Sequence, residues 1–197
     1  MRFNGDIRKS VAIAAMTLIC ATACGGAAEE AQSSPASSSA SSAATQSSAP
    51  AVAAVYRAPK KACDGADTTA MDAKLTNRKI QREDVTTTKL STMASCTLAY
   101  KNHTVMIQME VYQEPIANIM FDGFKKAEAK NSTLTDIPGL GTGAYSYVDE
   151  LTGPHMAAWD GNLYITIMIG TLFGEPDPAD SELLPPVVAA TMTKLRS

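Results

Sequence analysis

The chain has 197 residues, of which 45% are hydrophobic, 19% charged and 6% aromatic, enough for one domain with appendages. A formal net charge of −3 lacks the basic footprint of a nucleic-acid binder. Four cysteines and two histidines leave little material for a metal cluster.

The N-terminus is basic, with Arg2, Arg8 and Lys9 against Asp6, and Val11 to Ala23 follows as 13 residues without a charge. As a helix that run spans roughly 20 Å, short of the ~30 Å hydrocarbon core. A basic head, a short apolar body and small residues at its end predict a cleaved export signal over residues 1–23. Its end, Ala21-Thr22-Ala23-Cys24-Gly25-Gly26, resembles a bacterial lipobox. That resemblance implies cleavage before Cys24 and acylation of its sulfur, palmitate included. An ordinary signal peptide cut after Ala23 is the alternative. Several acyl chains on one cysteine suffice for stable anchoring.

Residues 25–55 hold 11 Ala, nine Ser and two Pro, with no aromatic residue. Such a composition buries too little apolar surface to offset chain entropy. Residues 24–56 therefore read as a lipidated cysteine and a disordered tether, whose ends would lie about 30 Å apart.

Residues 57–197 read as one α+β domain. Its charge is uneven: residues 57–101 hold nine basic and five acidic side chains, and residues 102–182 hold three and 12. Cys63 and Cys96 are the cysteines left after export, and an oxidising compartment favours pairing them; two free thiols are the alternative. Asp67 is positioned to cap a helix to about Asn77, with Met71 and Leu75 on one face. Residues 78–94 are polar and carry no clear period. Cys96–Tyr100 and Val105–Tyr112 predict a hairpin, with Val105, Ile107, Met109 and Val111 facing a core.

Pro115 suits a first helical position, and Ile116, Ile119, Met120, Gly123, Phe124 and Ala127 then share a helical face. Residues 137–143 are a glycine-rich connection, and Ala144–Asp149 reads as a strand. His155–Trp159 and Leu163–Ile169 predict a second hairpin about Asp160-Gly161, a favoured type I′ pair. Leu163, Ile165, Ile167 and Ile169 alternate with Tyr164, Thr166 and Met168, so one face is core. A last helix is expected over Pro186–Leu195, with Val188, Met192 and Leu195 inward. Hairpins with helices between and beyond them imply an antiparallel sheet of about five strands flanked by helices.

The order of Cys63-Asp64, Cys96-Thr97-Leu98, Ile137-Pro138-Gly139-Leu140-Gly141, Ala144-Tyr145 and Trp159-Asp160-Gly161-Asn162 resembles a group of actinobacterial cell-envelope lipoproteins of unknown function. More loosely, it is similar to the extracellular sensor domain of the mycobacterial receptor kinase H. The resemblance covers most of residues 63–195. It implies an antiparallel sheet of the Mog1/PsbP-like kind and no particular activity. Leu98 stands where an aromatic is usual, and Thr142-Gly143 where an acidic turn is usual.

No catalytic constellation emerges. Gly139, Gly141 and Gly143 precede a strand rather than a helix, so they read as a turn and not a phosphate cradle. His103, in a predicted hairpin turn, and His155 lack partners at metal spacing; Met106 and Met156 near them would make a soft copper(I) site only in the rarer case. Glu175, Asp177, Asp180 and Glu182 form an acidic cluster without calcium-loop spacing, which suits the entry to the last helix. Asp149 and Glu150 fall on opposite faces of a strand end. The expectation is a lipid-anchored module on the extracytoplasmic face of the cell membrane. It would bind or sense a cell-wall fragment, a lipid or an envelope protein, with no cofactor and no nucleic acid. A lipid carrier with an apolar cavity, or a hydrolase with an unrecognised site, is the alternative.

Overall fold

A computed structural model describes residues 55–197. The export signal over 1–23, Cys24 and nearly all of the tether over 24–56 lie outside the described residues.

Two single-turn helices, α1 (Ala62–Gly65) and α2 (Thr69–Asp72), precede the strands. The predicted helix to Asn77 stops early because Lys74, Thr76 and Asn77 offer no apolar face. Asn77 instead turns the chain with φ of 63°. Met71 is fully buried, and Leu75 packs at the margin of the core. The strands are β1 (Lys79–Thr87), β2 (Ser91–Ala99), β3 (His103–Tyr112), β4 (Thr135–Asp136), β5 (Gly143–Asp149), β6 (Gly153–Asp160) and β7 (Leu163–Thr171). They form one antiparallel sheet in the order β1-β2-β3-β7-β6-β5-β4.

The sheet thus has seven strands rather than about five, and the two additions are its edges. An edge strand is paired on one side only and needs little apolar surface. Of β1, Lys-Ile-Gln-Arg-Glu-Asp-Val-Thr-Thr, only Val85 is even half-buried. Its lysine, its arginine and an irregularity between Ile80 and Arg82 discourage pairing with a further strand. β4 is two residues long.

Both predicted hairpins form. The tight turn after β6 consists of Gly161 and Asn162, one residue later than expected. Only Gly161 has positive φ, 56°, so the turn is not type I′, which needs two such residues.

One sheet face is closed. Ala94, Cys96, Leu98, Val105, Ile107, Met109, Leu163, Ile165, Ile167 and Ile169 project from β2, β3 and β7. They meet Leu184, Val187, Val188, Met192 and Leu195 of α4 (Leu184–Leu195), which a short 3₁₀ helix (Pro178–Leu183) leads into. Cys63 of α1 and Cys96 of β2 are joined by a disulfide with Cα atoms 4.9 Å apart, on this same closed side. Glu83 of β1 accepts the Cys63 amide at 2.7 Å, tying the polar edge to the bridge.

Tyr56, placed in the tether by composition, belongs to the fold. It is buried, pairs with Arg196 in a β-bridge and donates its hydroxyl to Asp160 at 2.5 Å. Arg196 donates to the same carboxylate at 2.9 Å. Residue 56 therefore joins the fold beside the β6–β7 turn.

The opposite face is covered by α3 (Ala117–Glu128), and only in part. Its buried residues are Ala117 and Phe121, whereas Ile119 is 63% exposed. The inward face is rotated from the predicted one. Phe121 is held at the centre because it meets both Tyr145, at 5.2 Å, and Trp159, at 6.3 Å between ring centres.

Candidate functional site

Strand register sets the α3-side face in rows. One row reads Met106, Met168, His155 and Tyr147 across β3, β7, β6 and β5. The next reads Gln108, Thr166, Ala157 and Tyr145, and the third Glu110, Tyr164, Trp159 and Gly143. The middle row is low where Thr166 and Ala157 adjoin, and its neighbours carry Met168, His155, Tyr164 and Trp159. A depression follows from side-chain size alone. Phe124 and Glu128, in the last turns of α3, wall it above, and the result is a groove of about 220 Å³.

The walls are aromatic. Phe124 stacks on Tyr164, with ring centres 5.6 Å apart and planes 9° from parallel. Tyr147 stacks on His155 at 4.8 Å and lies 6.3 Å from Tyr145. Phe124 remains 44% exposed at the mouth. Burial, reinforced by the Glu128 carboxylate, pushes the Tyr145 phenol up to about 12. The same two causes raise Tyr147, and burial beside other phenols raises Tyr164. All three phenols are therefore neutral hydroxyls at physiological pH.

His155 is oriented by the β5–β6 turn. Asp149 accepts the amides of Leu151 at 2.9 Å and Thr152 at 2.8 Å, and the Thr152 hydroxyl at 2.8 Å. With its single proton so used, Thr152 Oγ1 accepts from His155 Nε2 at 2.7 Å. Nδ1 then carries the ring's lone pair. Burial pushes the imidazole below its ordinary value, outweighing the opposing pull of Asp149 and Glu128. A neutral histidine held in one tautomer can accept a hydrogen bond from a ligand. General-base chemistry would need a nucleophile as well. The one aliphatic hydroxyl in the lining, on Thr166, lies one strand and one row away.

Most of the residues considered from sequence are taken up elsewhere. His103 is half-buried rather than idle in the turn, and its Nε2 lies 3.2 Å from Asp180. Asp177 caps the 3₁₀ helix by accepting the Ala179 amide at 2.9 Å. Of the acidic cluster, then, Asp180 pairs with histidine and Asp177 caps. Met156 is buried among the closed-side residues, facing away from His155, so the two form no common site. Met106 reaches the groove, far from His103 at the strand end. Gly141 and Gly143 are required by Trp159: a Cβ at either would sit 2.6 Å or 2.8 Å from its atoms. They fasten a turn. Among the described residues, no three His, Cys, Asp or Glu side chains are grouped to hold a metal ion. No described helix is long and apolar enough to cross a membrane.

Sequence reasoning singled out His155, Met106 and Met156 from the residues that line this groove, and Met156 borders it from the closed side of the sheet. The visible signal was the alternation of Tyr145/Tyr147 and Tyr164/Thr166/Met168, which marks aromatic and polar positions on the non-core face. No family model, curated protein or solved structure matches the chain.

Proposed function

We propose that the protein is a lipid-anchored envelope module that binds a small ligand in the groove between α3 and the β3-β7-β6-β5 rows. The observation that carries this reading is the uneven cover of the sheet. One face is sealed by α4, and the other leaves Met106, Tyr147, His155, Thr166 and Met168 only half-buried around an open depression. A purely structural sheet would gain by covering them, because apolar surface left in water forfeits about 25 cal/mol per Å². Convergent polar atoms on an apolar wall are what a binding site requires.

The groove's 220 Å³ lies below the roughly 300–1,000 Å³ of drug-sized sites, which supports a ligand of few heavy atoms over an acyl chain. Anchoring at Cys24 and a tether of some 30 residues would hold the domain near the membrane while leaving it free to turn. The likeness to envelope lipoproteins and a receptor-kinase sensor domain supports the same placement.

Two experiments test the proposal. Wild-type protein should label with a clickable palmitate, and Cys24→Ala should not; unlabelled wild type contradicts the anchor. Full-length protein purified from its native envelope should carry a small molecule detectable by mass spectrometry. Thr166→Phe, which fills the groove, should lose it; retention of that molecule by the variant contradicts the groove.

A further inference from the structure

The groove has a charge character as well as a shape. Its lining contains one residue of fixed charge, Glu128, and no lysine or arginine. Every lining residue comes from the segment 102–182, in which acidic side chains outnumber basic ones 12 to three. Those three bases are Lys125, Lys126 and Lys130, all on or just after α3. Lys125 Nζ lies over the Phe121 and Tyr145 rings, 5.9 Å from each centre, and is tied to Asp136 of β4 on the outer side of the helix. Lys126 lines that same outer hollow. The Glu128 carboxylate therefore meets no counter-charge within the groove.

Around it stand Phe124, 44% exposed, and the half-buried Tyr147, above the buried Tyr145 and Tyr164. Aromatic faces carry negative quadrupole potential, and several rings beside one carboxylate attract a weakly hydrated cation. An inorganic ion would forfeit its hydration shell without gaining a set of oxygen ligands. An alkylammonium group is hydrated weakly and is covered by apolar walls, and its bulk suits a groove of about 220 Å³. A neutral sugar would use the same rings and donate hydroxyls to the carboxylate, but would leave its charge unmatched. An anion would be repelled by it.

Resting on the reading of this groove as the ligand site, we propose that its ligand is a small organic cation. The cation presents an alkylammonium group to the Phe124 and Tyr147 rings, the two lining aromatics that are not buried, with Glu128 as its counter-charge.

The test uses full-length protein in detergent, titrated calorimetrically with choline chloride and with dimethylbutanol, its neutral carbon isostere. Choline should bind saturably at millimolar concentration and the isostere at least tenfold more weakly. Glu128→Gln, an isosteric change at a half-buried position, should weaken choline roughly fivefold, about the loss of one partly buried cation–π or charge contact. Tyr147→Phe should stay within about twofold of wild type, because the ring face is what the cation meets. Tyr147→Leu should weaken binding as Glu128→Gln does. Equal binding of choline and isostere, with both lost in Thr166→Phe, would overturn the cation class and leave the groove reading intact. Choline binding unaffected by Thr166→Phe would overturn both. Absence of choline binding, or binding of N-acetylglucosamine in its place, would overturn the cation class.

Discussion

The two faces of the sheet are built from the same strands and do opposite things. On β7, Leu163, Ile165, Ile167 and Ile169 are at most 1% exposed beneath α4. Between them, Tyr164, Thr166 and Met168 look the other way, toward a helix that covers part of the sheet and stops. Residues one position apart thus belong to a sealed aliphatic core and to an open aromatic groove. The contrast separates what holds the fold from what the fold presents, and substitutions on the two sides should differ accordingly.

The largest effect should come from the bridge on the sealed side. Cys63–Cys96 closes a separation of 33 residues that includes α2 and the polar edge β1. Reduction, or Cys63→Ala, should cost about 3–4 kcal/mol in chemical denaturation. Hydrogen exchange should rise over residues 57–94 before the β3-β7-β6 ladders open. Uniform exchange across both regions would contradict that order.

Adjacent truncations on β7 come next. Ile167→Ala, in the sealed core, should lose about 3 kcal/mol in urea unfolding, within the range for buried aliphatic truncation. Met168→Ala, half-exposed on the groove side, should lose about 1 kcal/mol or less. Similar losses at the two sites would dissolve the distinction between the faces.

That much of the contrast was legible in the sequence. The alternation on β3 and β7 names the core side residue by residue, and the run Val188, Met192 and Leu195 names the helix that seals it. The edges were not legible, because β1 gains its place from pairing with β2 and from the Glu83 bond to Cys63, and neither leaves an apolar period. The inward face of α3 was also misplaced. Of the expected stripe, Ile116 and Met120 pack at the margin and Phe124 stacks on Tyr164, but Ile119 points to solvent and the buried positions are Ala117 and Phe121, since Tyr145 and Trp159 capture Phe121. The groove was the least legible feature. Its lining is gathered from four strands and a helix, and the small size of Ala157 and Thr166 matters only once register has set tall neighbours around them.

The knot of Tyr56, Asp160 and Arg196 should have a moderate effect. Burial alone would raise the Asp160 carboxyl, but hydrogen bonds from Tyr56 and Thr142 and the nearby Arg196 outweigh it and hold the group below its ordinary value. Asp160→Asn should cost about 1–2 kcal/mol, the scale of hydrogen bonds to a charged group. Because the folded value is depressed, the contribution is full above the ordinary carboxylate range and is lost as pH falls through the folded one. Acid unfolding of Asp160→Asn should accordingly be shallower than that of wild type.

The smallest effect belongs to His155 on the groove side. Its folded value lies below the ordinary 6.5 because of burial, with Asp149 and Glu128 pulling the other way and Tyr147 and Thr152 neutral beside it. Below 6.5 the unfolded chain takes up the proton first, so stability is full above that pH and declines as pH falls toward the folded value. His155→Gln should flatten this decline without much change at neutral pH. An unchanged slope would mean that the imidazole is not buried as described.

The central claim is that the partly covered face is the one that meets a ligand. The most direct measurement is an NMR map of full-length protein titrated with the small-molecule fraction of its own envelope. The account predicts shifts concentrated at Tyr145, Tyr147, His155, Tyr164 and Met168, with Leu98, Val187 and Val188 on the sealed side unmoved. Shifts centred on the sealed side, or on loops away from both faces, would contradict it.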